Sequence, residues 1–542
     1  MIQQCDVAVI GSGFGGSIMA MIAKRLGYSV LLIERGRHPR FAIGESSTPL
    51  ANLLLEELAV RYNLPRLLPF TAWSSWQRTY PQIACGLKRG FSFFQHQPGA
   101  PCLRNGMRTN ELLVAASPCD ELADTHWYRS DFDTFLVKEA CGLDVDYLDE
   151  TEVRSVSIHP ASAELLLAHR DNSISVRARF VIDASGPRGC LHQQLNLPES
   201  DFPGFPATEA LYSHFRNVRD VSRVLLPPLG TPAPPYSPDA AAVHHLVEGG
   251  WVWVLRFNNG IVSAGVAADV ARFSGLELRR GEIAWHALLD RYPSLEEQFA
   301  DAQPIREFTH LKRGAFRSPQ AARSCWALLP GTAGFVDPLL STGFALNLFG
   351  IARLATILED NRITQGISPS SLQRYEEQTL TELDLTAELV GALYHTIGDF
   401  ELFSALALLY FAAVSYSETV RRLGEPSRAS GFLLAGDPIF TKNLKRCCAA
   451  ARQILRPAER AALLTKIKDS IKPIDVAGLG NPDRRNWFPV DFEDLRRATP
   501  RLGLNPDRVE RFIGEAEAAC NKAHKPSMSG QRATASASRV RG

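Results

Sequence analysis

The chain has 542 residues, 45% of them hydrophobic and 22% charged, and a formal net charge of +1. That length is too great for one simple core, so two or three packed units are expected. Near-neutral charge without a long like-charge run argues against a basic face for nucleic acid.

The ten cysteines are scattered and none has C-x-x-C spacing. A metal site and a secreted disulfide framework both fit poorly, and idle thiols in a reducing cytosol are expected. The N-terminus runs straight into an apolar strand without the regions of a signal peptide, which points to a cytoplasmic protein.

Asp6 to Ile10, DVAVI, reads as a buried parallel strand. It leads into Gly11-Ser12-Gly13-Phe14-Gly15-Gly16. A helix is expected over 17–26 and a second strand over 29–33, ending in Glu34. The glycines divide the labour of a dinucleotide turn: Gly11 makes the bend, Gly13 admits a pyrophosphate, and Gly16 lets helix meet strand. Amides at the helix start face the phosphates. Glu34, 23 residues after Gly11, is placed for the ribose hydroxyls, with Arg35 beside it.

Further along come Ile43-Gly44-Glu45-Ser46, then Tyr128 to Asp133 ahead of the helical pattern TFLVKEA, then the strand Arg179 to Ser185, RFVIDAS. This series resembles the flavoprotein monooxygenase superfamily, which favours FAD over NAD. Gly331-Thr332 opens a second flavin motif, and Phe335, Pro338, Ser341 and Gly343 give the spacing F-x-x-P-x-x-S-x-G. With Gly250-Trp251-Val252-Trp253-Val254-Leu255 and Lys88 ahead of Gly90-Phe91, the chain is similar to the flavin-dependent halogenases.

The resemblance implies an α/β fold. A Rossmann-type FAD-binding domain of glutathione-reductase type (1–70, 125–200, 300–365) carries an inserted β-sheet substrate domain (71–124, 201–299). A helical region (366–520) and a disordered tail (521–542) follow. It implies cofactor contacts from Gly11, Gly13, Phe14, Gly15, Gly16, Glu34, Arg35, Glu45, Ser46, Arg129, Asp183, Gly331, Thr332, Phe335 and Pro338. In this family reduced FAD (FADH2) and dioxygen oxidise chloride or bromide to hypohalous acid, which crosses an internal tunnel to the substrate. Amides at Ser341, Thr342 and Gly343 are suited to the halide. Lys88 is the implied catalytic lysine; its alternative is a solvated surface residue, with Lys138 and Lys312 as weaker competitors. Trp251 and Trp253 alternate on a strand and so share one face, either as a wall between flavin and substrate or as ordinary core.

Three departures from the family pattern stand out. Thr332 replaces an aspartate expected on the ribityl chain. Arg256 stands where proline is usual, which weakens the match. Leu340 stands where tryptophan halogenases carry glutamate, as in phenol and pyrrole halogenases. The expected substrate is therefore a small electron-rich aromatic, free or tethered to a carrier protein, with a flavin reductase as partner. The competing functions are a flavin monooxygenase or C=C reductase of the same superfamily, and an FAD-binding protein without turnover.

Leu225 to Ala240, rich in proline, reads as an irregular loop. Beyond Pro369 the apolar spacing turns helical. Leu402 to Tyr416 falls short of the roughly 18–20 residues of a membrane span and reads as a buried helix or an apolar pocket wall, so no stable membrane insertion is expected.

Overall fold

The computed structural model describes residues 3–170, 172–273, 275–361 and 366–522. The tail expected from 521 onward lies, past Lys522, outside the described residues.

Two sheets organise the chain. The first runs Ala322–Arg323, Trp326–Leu328, Asn172–Asp183, Gln3–Ile10, Val30–Ile33, Asp146–Leu148. From Trp326–Leu328 onward the neighbours are parallel. A parallel strand covered on both faces reads as a continuous apolar run. Accordingly Val7 to Ile10 and Val30 to Ile33 are buried at every position. The helix after the glycine turn begins at Phe14, three residues before the expected start, with Gly13 as N-cap. Gly15 and Gly16 look like loop residues, yet they are helical because the helix is pressed too closely to its neighbours for side chains there. A Cβ on Gly16 would fall 1.8 Å from the carbonyl oxygen of Gly11.

The second sheet runs Gln303–Pro304, Thr208–Arg216, Val262–Asp269, Gly250–Arg256, Ala242–Val247, Gly90–Gln95, Glu111–Ala115, Trp487–Phe488. Its alternation separates two cores. Trp251, Trp253 and Leu255 face the core shared with the first sheet, while Val252 and Val254 face a smaller cluster around Trp285 and Phe299. Each fully buried side chain of this size contributes about 1.5–3 kcal/mol. The last strand comes from within the stretch read as wholly helical, and it pairs in parallel with Glu111–Ala115.

Helix Pro369–Thr396 packs on the helix Gly343–Asn361, and Phe400–Arg422 packs in turn on Pro369–Thr396 and on the helix Pro49–Arg61. The apolar run around Leu402 lies in a 23-residue helix, longer than the run itself. By length and composition two segments are apolar enough to cross a membrane, Leu339–Asn361 and Phe400–Arg422; most of each apolar stretch is buried inside the protein.

The expectation that all thiols are idle needs correction. Cys119 and Cys520 form a disulfide across 401 residues of sequence. Local spacing carries no trace of such a pair, because the partners meet only when the last helix, Pro506–Lys522, folds back over the turn at Asp120–Leu122.

Candidate active site

Gly11 adopts φ +94°, a left-handed conformation that glycine reaches without strain, and a Cβ there would stand 2.6 Å from Ser185 Cα. Asp183 shapes that neighbouring loop. Its Oδ1 accepts from the Ser185 amide at 2.9 Å and its Oδ2 from the Leu191 amide at 2.6 Å. At Gly13 the surroundings are cationic. A Cβ would lie 3.3 Å from Arg129 Nη2 and 3.6 Å from Arg40 Nη2. Two guanidinium groups beside a helix N-terminus fit a pyrophosphate.

Arg40 was not signalled by the glycine motif. It also reaches Glu34 at 3.1 Å. Burial pushes the Glu34 carboxyl up, but Arg40 and the Gly36 and Ser12 amides outweigh it and hold it below the usual range. Glu34 is thus an anionic acceptor at the strand end, where ribose hydroxyls would bond. Arg35 is exposed.

The Ile43 to Ser46 segment is held by Arg129. Its Nη1 donates to the Gly44 carbonyl at 3.0 Å, while Nε and Nη2 each donate to Asp133 at 2.8 Å. The helix starts at Arg129 rather than after Asp133, which puts this pair one turn apart. Glu45 is buried and accepts from His214 Nε2 at 3.0 Å, and the Ser46 hydroxyl is buried without a partner among the described residues. Phe14 packs edge-on to Phe344 and Trp127.

The second motif is knitted from behind. Asn347 Oδ1 accepts from the Gly331 amide at 3.0 Å and its Nδ2 donates to the Gly343 carbonyl at 2.8 Å. Thr332 is buried, and its hydroxyl accepts from the Gly186 amide at 3.3 Å. Phe335 pairs with Phe316 in a short antiparallel ladder, and Pro338 precedes the turn Leu339–Ser341. Leu340 and Ser341 both adopt left-handed φ, 66° and 55°. Non-glycine residues pay for that conformation, and such strain gathers at functional turns. The Ser341 amide donates to Pro338 O at 3.1 Å, which leaves the amides of Thr342 and Gly343 at the mouth of the helix Gly343–Asn361.

Asp337 connects this turn to the tryptophan strand. Tyr394 donates to Asp337 Oδ2 at 2.9 Å, and Trp251 Nε1 donates to the Tyr394 hydroxyl at 3.0 Å. Trp253 Nε1 donates to Ser263 at 3.3 Å. Burial pushes the Asp337 carboxyl up to about 7, against the pull of the Leu339 amide and Tyr394. A carboxyl raised in the folded state binds its proton more tightly there than in the unfolded chain. Stability therefore falls as pH rises from about 4 to about 7, by up to ~1.4 kcal/mol per pH unit. Denaturant unfolding of Asp337→Asn at several pH values is expected to show that slope reduced, and an unchanged slope would assign it to another group.

Arg256 reaches Asp239 at 3.2 Å and Val218 O at 3.0 Å, pinning the end of the proline-rich loop. Its carbonyl sits where a Cβ on Gly86 would fall, at 1.9 Å. Proline at 256 would supply no such clamp, so the departure is a structural exchange.

Lys88 ends the strand Cys85–Lys88 and is fully buried, whereas Lys138 and Lys312 are exposed. Its ammonium donates to the Ser47 carbonyl and lies 3.9 Å from the Phe91 ring centroid. Burial lowers its pKa to about 7, with Asp124 opposing. Its neighbours Phe91 and Asp124, though not Lys88 itself, line a cavity of about 870 Å³ together with Tyr410, Phe411 and Phe488. Phe91 packs on Phe411, Phe411 on Tyr410, and Tyr410 donates to the Leu340 carbonyl at 2.8 Å. A continuous aromatic wall therefore joins the lysine to the strained turn. Asp124, Tyr394, Tyr410, Asn347 and Arg40 escaped sequence reasoning, because each acts through partners remote in the chain.

The family model described as tryptophan halogenase matches residues 124–399, just over half of the chain. The monodechloroaminopyrrolnitrin halogenase PrnC of Pseudomonas fluorescens is 28% identical over 75% of this chain and 70% of its own. The tetracycline 7-halogenase of Kitasatospora aureofaciens is 26% identical over 94% of both chains. The crystal structure of halogenase PltM with phloroglucinol and FAD superposes with a TM-score of 0.80 at 26% identity, over 89% of this chain and 99% of that one. The dinucleotide turn with its two guanidinium groups fits the cofactor such enzymes use. The chain belongs to the tryptophan halogenase family, as an FAD-dependent oxidoreductase of halogenase type whose cofactors are FAD and halide.

Proposed function

We propose that this protein halogenates a small electron-rich aromatic of phenol or pyrrole type through hypohalous acid held by Lys88. One observation carries the reading: the lysine is wholly buried, and Phe91 and Asp124 beside it line a cavity large enough for an aromatic substrate. Bound reduced FAD, with dioxygen and halide, supplies the hypohalous acid, and a separate flavin reductase supplies the reduced FAD.

The chain's own groups do the rest. Gly13, Arg40, Arg129 and Glu34 hold the adenosine diphosphate half of FAD. The amides of Thr342 and Gly343 receive the halide. Trp251 and Trp253 project from the second sheet into the core it shares with the first, as a wall between flavin and substrate. Lys88, as an ammonium, donates a hydrogen bond to the oxygen of the hypohalous acid and so polarises its halogen. Leu340 offers no carboxylate to activate a sluggish ring, so the substrate must be nucleophilic already. PltM, which binds phloroglucinol in its crystal structure, supports a phenol.

The test is product analysis with chemically reduced FAD, oxygen and bromide or chloride over phenols, pyrroles and indoles, free and carrier-bound. Halogenated phenols or pyrroles are expected. Halide-independent hydroxylation would replace this reading with a monooxygenase.

A further inference from the structure

We propose that Asp124 is a second catalytic residue of this site. It takes the ring O–H or N–H proton of the aromatic substrate while the carbon attacks the halogen held at Lys88. The inference rests on the halogenase reading above and deepens it to substrates carrying such a proton.

Asp124 opens the strand Asp124–Trp127 and stands opposite Lys88 in the antiparallel pair with Cys85–Lys88. It is 3% exposed, and it lines the cavity together with Asn52 and Phe91. Its Oδ1 accepts from Asn52 Nδ2 at 3.2 Å, and Asn52 Oδ1 accepts from the Ser47 hydroxyl at 2.6 Å. The Ser47 carbonyl in turn holds the Lys88 ammonium. A chain of hydrogen bonds through Asn52 and Ser47 thus links carboxylate to ammonium. Oδ2 is buried and has no hydrogen-bond partner among the described residues. A buried carboxylate oxygen without a donor is costly. A substrate hydroxyl or pyrrole N–H in the cavity would supply one.

The charged groups around the pair are few. Burial pushes Asp124 well up, while Lys88 pulls it down; Glu418 raises it and Arg422 lowers it, both from the helix Phe400–Arg422. His126 and His244, which also face Lys88, are held neutral by burial, with pKa values near 3.

The proton count closes. Asp124 takes the O–H proton as the ring carbon bonds to the halogen. The oxygen–halogen bond breaks, and Lys88 protonates the departing oxygen, which leaves as water. Rearomatisation returns the borrowed proton from Asp124 to the ring oxygen. The proton lost from the halogenated carbon restores Lys88 to its ammonium form. The sum is ring C–H plus hypohalous acid giving ring C–halogen plus water.

The experiment compares wild type and Asp124→Asn on phloroglucinol and on its trimethyl ether, 1,3,5-trimethoxybenzene, with methionine in solution to consume escaped oxidant. On phloroglucinol, kcat is expected to fall on the order of 10²-fold with KM little changed. The acidic limb of the pH profile is expected to vanish. On the ether, which has no proton to give, the loss is expected to be much smaller than on phloroglucinol. Equal losses on both substrates would make Asp124 merely structural, and an unchanged phloroglucinol rate would remove it from the chemistry. If wild type accepts the phenol alone, an acidic limb retained in Asp124→Asn overturns the proposal. Failure of wild type on both rings, with every phenol and pyrrole unreacted, would instead sink the halogenase reading and this inference with it.

Discussion

Lys88→Met is expected to cut halogenated product on the order of 10³-fold or more, while FAD binding and the oxidation of reduced flavin persist. The methionine fills nearly the same volume, so the aromatic wall around Phe91 stays packed. On the mechanism proposed above, what disappears is the donor that holds and polarises the hypohalous acid, a contribution of general-acid size compounded by lost positioning. Oxidant then escapes, and methionine or another scavenger in solution should capture it in place of the substrate. Lys88→Arg sharpens the result. Arginine keeps the charge but stays protonated at every accessible pH, so activity in that variant would favour hydrogen bonding over a haloamine. The pH dependence follows from burial, which brings the Lys88 pKa to about 7. The ammonium is the working form here, so wild-type turnover should decline as pH rises through about 7. Product formation by Lys88→Met at the wild-type rate would remove this lysine from the mechanism.

Much of the frame was legible from local sequence. The strands at Asp6 and Val30 declare themselves because two-sided burial demands unbroken apolar runs, and the glycine turn because only glycine tolerates φ +94° against Ser185. Boundaries moved where packing overrode propensity, as at Phe14 and Arg129. Lys88 could be named from its neighbours Gly90 and Phe91, but its burial could not, since that depends on Ser47 and on the strand that begins at Asp124. The site's supporting partners were illegible for one reason. Tyr394 meets Asp337 across 57 residues, Tyr410 meets Leu340 across 70, and Cys119 meets Cys520 across 401. None of these pairs leaves a periodicity or a spacing to read.

Arg129→Ala is expected to destabilise the fold by about 3–5 kcal/mol, because it strands Asp133, which is wholly buried, without its cation. The same change frees Gly44 from its anchor and removes one of two guanidinium groups beside Gly13, so FAD affinity should fall at least tenfold, equivalent to about 1.4 kcal/mol. These two effects have separate origins and can be parted. Adding Asp133→Ala to Arg129→Ala removes the orphaned charge, so most of the lost stability should return in denaturant unfolding. FAD affinity, followed by flavin fluorescence, should stay weak in the double variant, since one guanidinium beside Gly13 is still missing. Affinity that recovers together with stability would mean that Arg129 serves only the fold, and Arg40 alone would then carry the cationic side of the phosphate site.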